Sequence, residues 1–184
     1  MMEVALIETY MYELSNLFLI PVLLTIIILF LYAFYALGGF LAQYPQRRYQ
    51  RESYRAALQA PSQKLRLKAY PLLSHYLRHP SCTLEELEIM AAKQLEVLRI
   101  VTRIAPMLGL VATMIPMGPA LKALAAGNVQ GISENLIVAF TAVIFGLITA
   151  SLTYWISSVK KRWLMTEYRD LEALLKGGKA HESA

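Results

Sequence analysis

With 184 residues, 57% hydrophobic and only 17% charged, and a mean hydropathy of +0.43, the chain falls outside the composition of soluble domains and into the membrane class. One cysteine, Cys82, excludes an intrachain disulfide, and His75 and His79 nearby do not complete a set of metal ligands. The net charge of +5 comes from basic residues that flank apolar stretches without an interleaved aromatic motif. That pattern argues for topology determination and lipid-headgroup contact over nucleic-acid binding.

Three stretches lack Asp, Glu, Lys and Arg: between Glu13 and Arg47, between Arg103 and Lys122, and between Glu134 and Lys160. Each is long enough for a bilayer core, which takes roughly 17 to 25 helical residues. The first follows an acidic start (Glu3, Glu8, Glu13) and is too long for a signal-peptide core, so it reads as a retained span over 17–42, with 1–16 as a short extracytoplasmic N-terminus. Pro21 sits in its first turns, where a missing N–H is tolerated. Tyr32, Tyr35 and Tyr44 gather toward its other end as an interfacial belt.

Residues 43–82 are basic (Arg47, Arg48, Arg51, Arg55, Lys64, Arg66, Lys68, Arg78) and punctuated by Pro45, Pro61, Pro71 and Pro80. They predict a cytoplasmic segment of short helices. The positive-inside rule then sets the N-terminus outside and the C-terminus in the cytoplasm. Thr83-Leu84-Glu85-Glu86 is a capping box that starts a new helix. Apolar residues at 84, 87, 91, 95, 98 and 101 line one face with no break before the second span. One helix over 83–124 is expected, about 60 Å long. An outer turn at 125–132 leads to span three over 133–159. A cytoplasmic helix and tail over 160–184 follow, with Gly177-Gly178 expected to stop the helix. The fold class is all-α: three transmembrane helices, the second and third extending into the cytoplasm.

No nucleophile–base pair, phosphate-cradling loop or metal constellation appears, so neither an enzyme nor a cofactor is expected. Polar function has to come from the spans. Span two carries Ala105, Gly109, Ala112, Thr113, Pro116 and Ala120 on one stripe; span three carries Ala142, Gly146 and Ala150 beside Thr149, Thr153 and Ser157. Such stripes let helix backbones approach, with hydroxyls bonded to their own helix. They also suit a polar path. Pro106, Pro116 and Pro119 each free a carbonyl four residues back, and a freed carbonyl must lie in protein or face water. Thr113, about 15 Å above Arg103, adjoins one of them near the midplane. The spans hold no carboxylate, so a titrating group would have to come from another chain. Glu134 and Arg103 stand at the ends as candidate vestibule charges, and Glu134 reads equally as a helix-start carboxylate favoured by the dipole.

The run Ala105-Pro106-Met107-Leu108-Gly109-Leu110-Val111-Ala112-Thr113 resembles the second-span signature A-P-L-L-G-L-x-G-T of the MotA/TolQ/ExbB proton channel family. Ala139 to Leu147, AFTAVIFGL, is similar to its third-span pattern A-F-x-T-T-x-x-G-L. Three spans match the ExbB/TolQ type. The resemblance implies a homopentamer whose second and third helices line a pore, with no nucleic acid involved. A single-span partner of the ExbD/TolR/MotB type would carry the ion on its aspartate past a ring of Thr113. Thr141, Thr149, Pro116, Gly109 and Gly146 complete the implied lining. The position of the family's third-span threonine holds Val143, and Thr141 lies two residues earlier. The alternative to a stator-type motor is a non-conducting oligomeric scaffold built on the same stripes.

Overall fold

The computed structural model describes the backbone of residues 2–59 and 69–182, with side chains for 10–11, 13–14, 17–59 and 69–175. Pro61, Lys64, Arg66 and Lys68 lie outside the described residues. All described elements are helical: α1 Met2–Tyr49, α2 Arg51–Gln59, α3 Pro71–Tyr76, α4 Leu84–Ala125 and α5 Val129–Glu182. Three of them are long and apolar enough to cross a membrane, over Leu17–Tyr49, Leu84–Ala125 and Val129–Leu175, with mean hydropathies of 2.9, 1.6 and 2.3 over an apolar window of 18 residues in each.

The helix ends follow from local chemistry. At the start of α4 the Glu86 backbone N–H donates to the Thr83 hydroxyl, and the Thr83 N–H donates to the Glu86 carboxylate. This reciprocal pairing satisfies two orphan donors. Between α4 and α5 the turn is tighter than the 125–132 expected. Asn128 N–H donates to the Ala123 carbonyl at 2.9 Å and Gly127 N–H to Leu124 at 3.0 Å, with Gly127 at φ 68°. That is a Schellman ending, and glycine fits it because it lacks a Cβ to clash. The Asn128 side chain then accepts the Gly131 N–H and caps α5.

Two sequence expectations about helix breaks are corrected. Pro45 sits inside α1: its fixed φ is helical, and only one backbone bond is lost close to the helix end. Gly177-Gly178 does not stop α5, which continues to Glu182. Two glycines each weaken a helix by about 1 kcal/mol, but they end it only where the chain turns left-handed. Among the described residues Gly127 alone does so.

The long helices contribute to two compact units. The first comprises Met1–Tyr35 with Ile100–Tyr154. Its centre is small: Ile26, Ala112 and Ala142 are buried together, with Val22, Leu23, Leu108 and Phe145 packed around them. Phe30 of α1 lies against Phe145 of α5, ring centroids 4.8 Å apart. The apolar side chains outside this centre are largely exposed, among them Leu24, Ile28, Leu31, Met107, Met114, Phe140 and Leu147. Exposure of this kind suits contact with lipid tails or further helices.

The second unit comprises Ala36–Arg99 with Trp155–Ala184. It has a conventional core: Ala57, Leu72, Leu73, Leu77, Leu87, Leu95, Leu164 and Leu171 are buried with Tyr54 and Tyr70. Alternate apolar positions of α4, 3 and 4 residues apart, supply one wall, as the periodicity of 84–98 predicts. Cys82 is buried in the same cluster. Burial, followed by the nearby Glu86, raises its thiol above the ordinary range. Alkylation by iodoacetamide at pH 7 is therefore expected to run slower in the folded protein than in the denatured chain, because the thiolate is the reacting species and the side chain is buried. Mass-spectrometric labelling rates in the two states check this.

Candidate functional site

In the first unit, α4 and α5 approach through small residues. Buried positions on α4 are Val101, Ala105, Gly109, Ala112, Pro116 and Ala120, and on α5 Ala139, Ala142, Gly146, Thr149 and Thr153. The spacing of 3 and 4 residues keeps each set on one face. A Cβ placed on Gly146 would stand 2.7 Å from the Ala105 carbonyl oxygen, and one on Gly109 would stand 3.4 Å from Val143 Cα. Gly109 and Gly146 thus lie in the contact between the two helices of one chain, and Pro116 is buried on the same face of α4. Thr149 is also fully buried, and its hydroxyl has no hydrogen-bond partner. Thr102 Oγ1 donates to Thr153 Oγ1 across the pair at 2.9 Å.

Thr113 is placed differently. On α4, Leu108 and Ala112 belong to the cluster that packs on Ile26 of α1. At about 100° per residue, Thr113 lies beyond Gly109 and Ala112 on the flank turned away from α1, together with Pro106 and Met117. It is half-buried, and its Oγ1 donates to the Leu110 carbonyl at 2.6 Å. On α5, Ala142 and Phe145 face α1, and the same rotation turns Val143 and Ala150 to the flank away from it. Thr141 is two residues before Val143, about 200° round the helix, and does not share that flank. It is exposed, and its hydroxyl donates to the Ile137 carbonyl at 2.7 Å.

At the ends of the spans, Glu134 is exposed and accepts a hydrogen bond from Gln130 at 3.0 Å. Arg103 is also exposed. Hence the structure turns Thr113 and Val143 to corresponding flanks, buries Gly109, Gly146, Pro116 and Thr149, and leaves Thr141, Glu134 and Arg103 on the outside.

A second polar cluster, in the second unit, escapes sequence reasoning. Arg47 forms an ion pair with Glu167, which is 1% exposed. The Arg47 Nε–H donates to the Ala69 carbonyl at 2.8 Å, and its guanidinium lies over the rings of Tyr70 and Trp163 at 4.6 and 4.7 Å. Glu167 accepts the Leu72 N–H at 3.1 Å, and the Tyr70 hydroxyl donates to the Arg47 carbonyl. Tyr54 stacks on Tyr70 with centroids 4.1 Å apart and donates to Asp170 at 2.6 Å. Burial first, and the bond to Asp170 second, push the Tyr54 phenol above its usual range. From the sequence Arg47 reads as one topology-setting cation among several; here it is the cation of a buried pair. Only the acidic residue on an otherwise apolar stripe of α5, Glu167 between Leu164 and Leu171, hints at this.

A chain whose described elements are all helical, with three candidate membrane spans, tight small-residue packing between the last two and no carboxylate within their uncharged stretches, has the build of a membrane channel subunit. The sequence profile of the MotA/TolQ/ExbB proton channel family matches residues 50–173. The chain belongs to that family, whose members are channel proteins. No curated protein and no solved structure matches it.

Proposed function

We propose that this chain is the channel subunit of an ExbB/TolQ-like motor that couples proton motive force, or a sodium gradient, to mechanical work. Five copies surround a central pore in the inner membrane. The N-terminus lies outside, and the basic segment 43–82 and the C-terminus lie in the cytoplasm. A single-span partner of the ExbD/TolR/MotB type occupies the pore and brings the titrating aspartate. The observation that carries the reading is Thr113: a polar side chain on the α4 flank away from α1, within an uncharged stretch without carboxylates. A hydroxyl there can exchange its bond to Leu110 for one to a passing carboxyl group or hydrated ion. Thr141 and Thr149 are secondary in this reading, and Glu134 and Arg103 are vestibule charges.

One observation favours the alternative, a non-conducting scaffold. On the corresponding flank of α5 the family's threonine position holds Val143, which cannot relay a proton. The two readings separate on stoichiometry and flux. The complex, co-expressed with its genomic neighbours, is expected to show five copies with a substoichiometric single-span protein by native mass spectrometry. Thr113→Val is expected to lower ion flux in vesicles at least about tenfold, the equivalent of one hydrogen bond to a charged group, without changing that stoichiometry. Wild-type flux in Thr113→Val sinks the assignment, and a homo-oligomer with no partner and no flux establishes the scaffold.

A further inference from the structure

The second unit contains a cavity of about 860 Å³. Its lining includes the Arg47–Glu167 pair with Trp163, and Arg48, Arg51 and Arg55 supply further cations to it. Asp170 also lines it, already engaged by the Tyr54 hydroxyl. Arg47 is likewise committed, to Glu167 and the two aromatic rings. Arg48, Arg51 and Arg55 are exposed, and among the described residues none of them has an ion-pair partner. Their spacing of 3 and 4 residues, across the junction of α1 and α2, keeps them on one side. The backbone there stays helical in its bonding, Gln50 N–H to Gln46 and Tyr54 N–H to Gln50, both 2.9 Å. Three unpaired guanidinium groups beside a cavity form a receptor for a phosphate-bearing anion, since the guanidinium fork matches phosphate oxygens in pairs.

We infer that this cavity binds the headgroup of an anionic phospholipid. The phosphate could come from a lipid or from a soluble ion, and position favours the lipid. The cavity is lined by the last turns of α1, at the end of a helix apolar enough to cross the membrane. Tyr44 and Trp163 also line it, and such aromatic residues settle at headgroup depth. Basic pockets beside membrane helices bind acidic headgroups in this way. The inference rests on the membrane orientation proposed above, but its readout is independent of ion flux.

The test uses the full-length chain, purified in a neutral detergent and offered defined phosphatidylglycerol or phosphatidylcholine, with retained lipid read by native mass spectrometry. Phosphatidylglycerol is expected to bind at least about tenfold more tightly than phosphatidylcholine. The triple substitution Arg48→Gln, Arg51→Gln, Arg55→Gln is expected to abolish that preference. Because those three side chains are exposed, thermal stability without lipid should stay at the wild-type value, so a lost preference is not a lost fold. Equal retention of the two lipids, or an unchanged preference in the triple variant, overturns the inference. So does phosphatidylglycerol displaced in full by millimolar inorganic phosphate, which would assign the site to a soluble anion. Failure of the Thr113→Val flux test leaves these outcomes untouched.

Discussion

Glu167→Ala is expected to destabilise the protein by about 3–5 kcal/mol, the range for removing one partner of a buried ion pair. The carboxylate answers two groups at once, the Arg47 guanidinium and the Leu72 backbone N–H. With it gone, the mostly buried Arg47 guanidinium and the Leu72 backbone donor both lose their acceptor. Glu167→Gln should cost less, because the amide oxygen can still accept from Leu72. Removing both charges distinguishes interaction from desolvation. Arg47→Met with Glu167→Leu is expected to recover most of the loss, since a packed apolar pair avoids the desolvation penalty that the ion pair must offset. Unfolding in sodium dodecyl sulfate, followed by far-ultraviolet circular dichroism, ranks the three variants. A single Glu167→Ala variant as stable as wild type would falsify the placement of this pair in the core.

The second large effect is expected in the first unit. Gly146→Ala should cost about 1–3 kcal/mol, the range for overpacking a well-packed contact. The added methyl group would meet the Ala105 carbonyl oxygen at 2.7 Å, and a backbone atom cannot rotate aside as a side-chain tip can. The α4 and α5 backbones would have to separate along the small-residue stripe. Gly109→Ala is the internal contrast. Its methyl would stand 3.4 Å from Val143 Cα, an ordinary contact, and the substitution should be close to neutral. Gly38→Ala is a control for helix propensity alone, because nothing lies within 4 Å of the added atom. It should be neutral or stabilising by up to about 1 kcal/mol. Oligomer yield and unfolding midpoints of the three variants test the order. Equal behaviour of Gly146→Ala and Gly109→Ala would remove the reason for treating one as the tight contact.

The legible part of the site was its chemistry by type. Uncharged runs exposed the three candidate spans, because a carboxylate or ammonium group is costly in hydrocarbon and a long interval without one is rare elsewhere. The capping box at Thr83 was legible because its hydrogen bonds join residues three apart. The stripes of small residues on α4 and α5 were visible as patterns, but the sequence left open whether they lined a path or packed helices. Only the antiparallel pairing of α4 with α5, and α1 seated on Leu108, Ala112, Ala142 and Phe145, distinguishes a contact face from a free flank. That pairing sends Gly109, Gly146 and Thr149 inward and leaves Thr113 at the side. It also puts Val143, rather than Thr141, on the corresponding flank.

What the sequence by itself determined is therefore what depends on composition and on neighbours a few residues apart: the membrane class, helix starts, the second-span motif and the family it marks. What only the tertiary structure decided is what joins distant segments. Tyr54 meets Asp170 across 116 positions, and Leu72 meets Glu167 across 95. No periodicity encodes such pairs, because each partner taken singly looks like an ordinary residue of a basic loop or a helix surface. Burial makes them a core, and burial arises only when the helices are brought together. The same holds for the three arginines of the cavity. As a sequence they are positive charge near a span, and only the folded chain sets them around a space that an anion can enter.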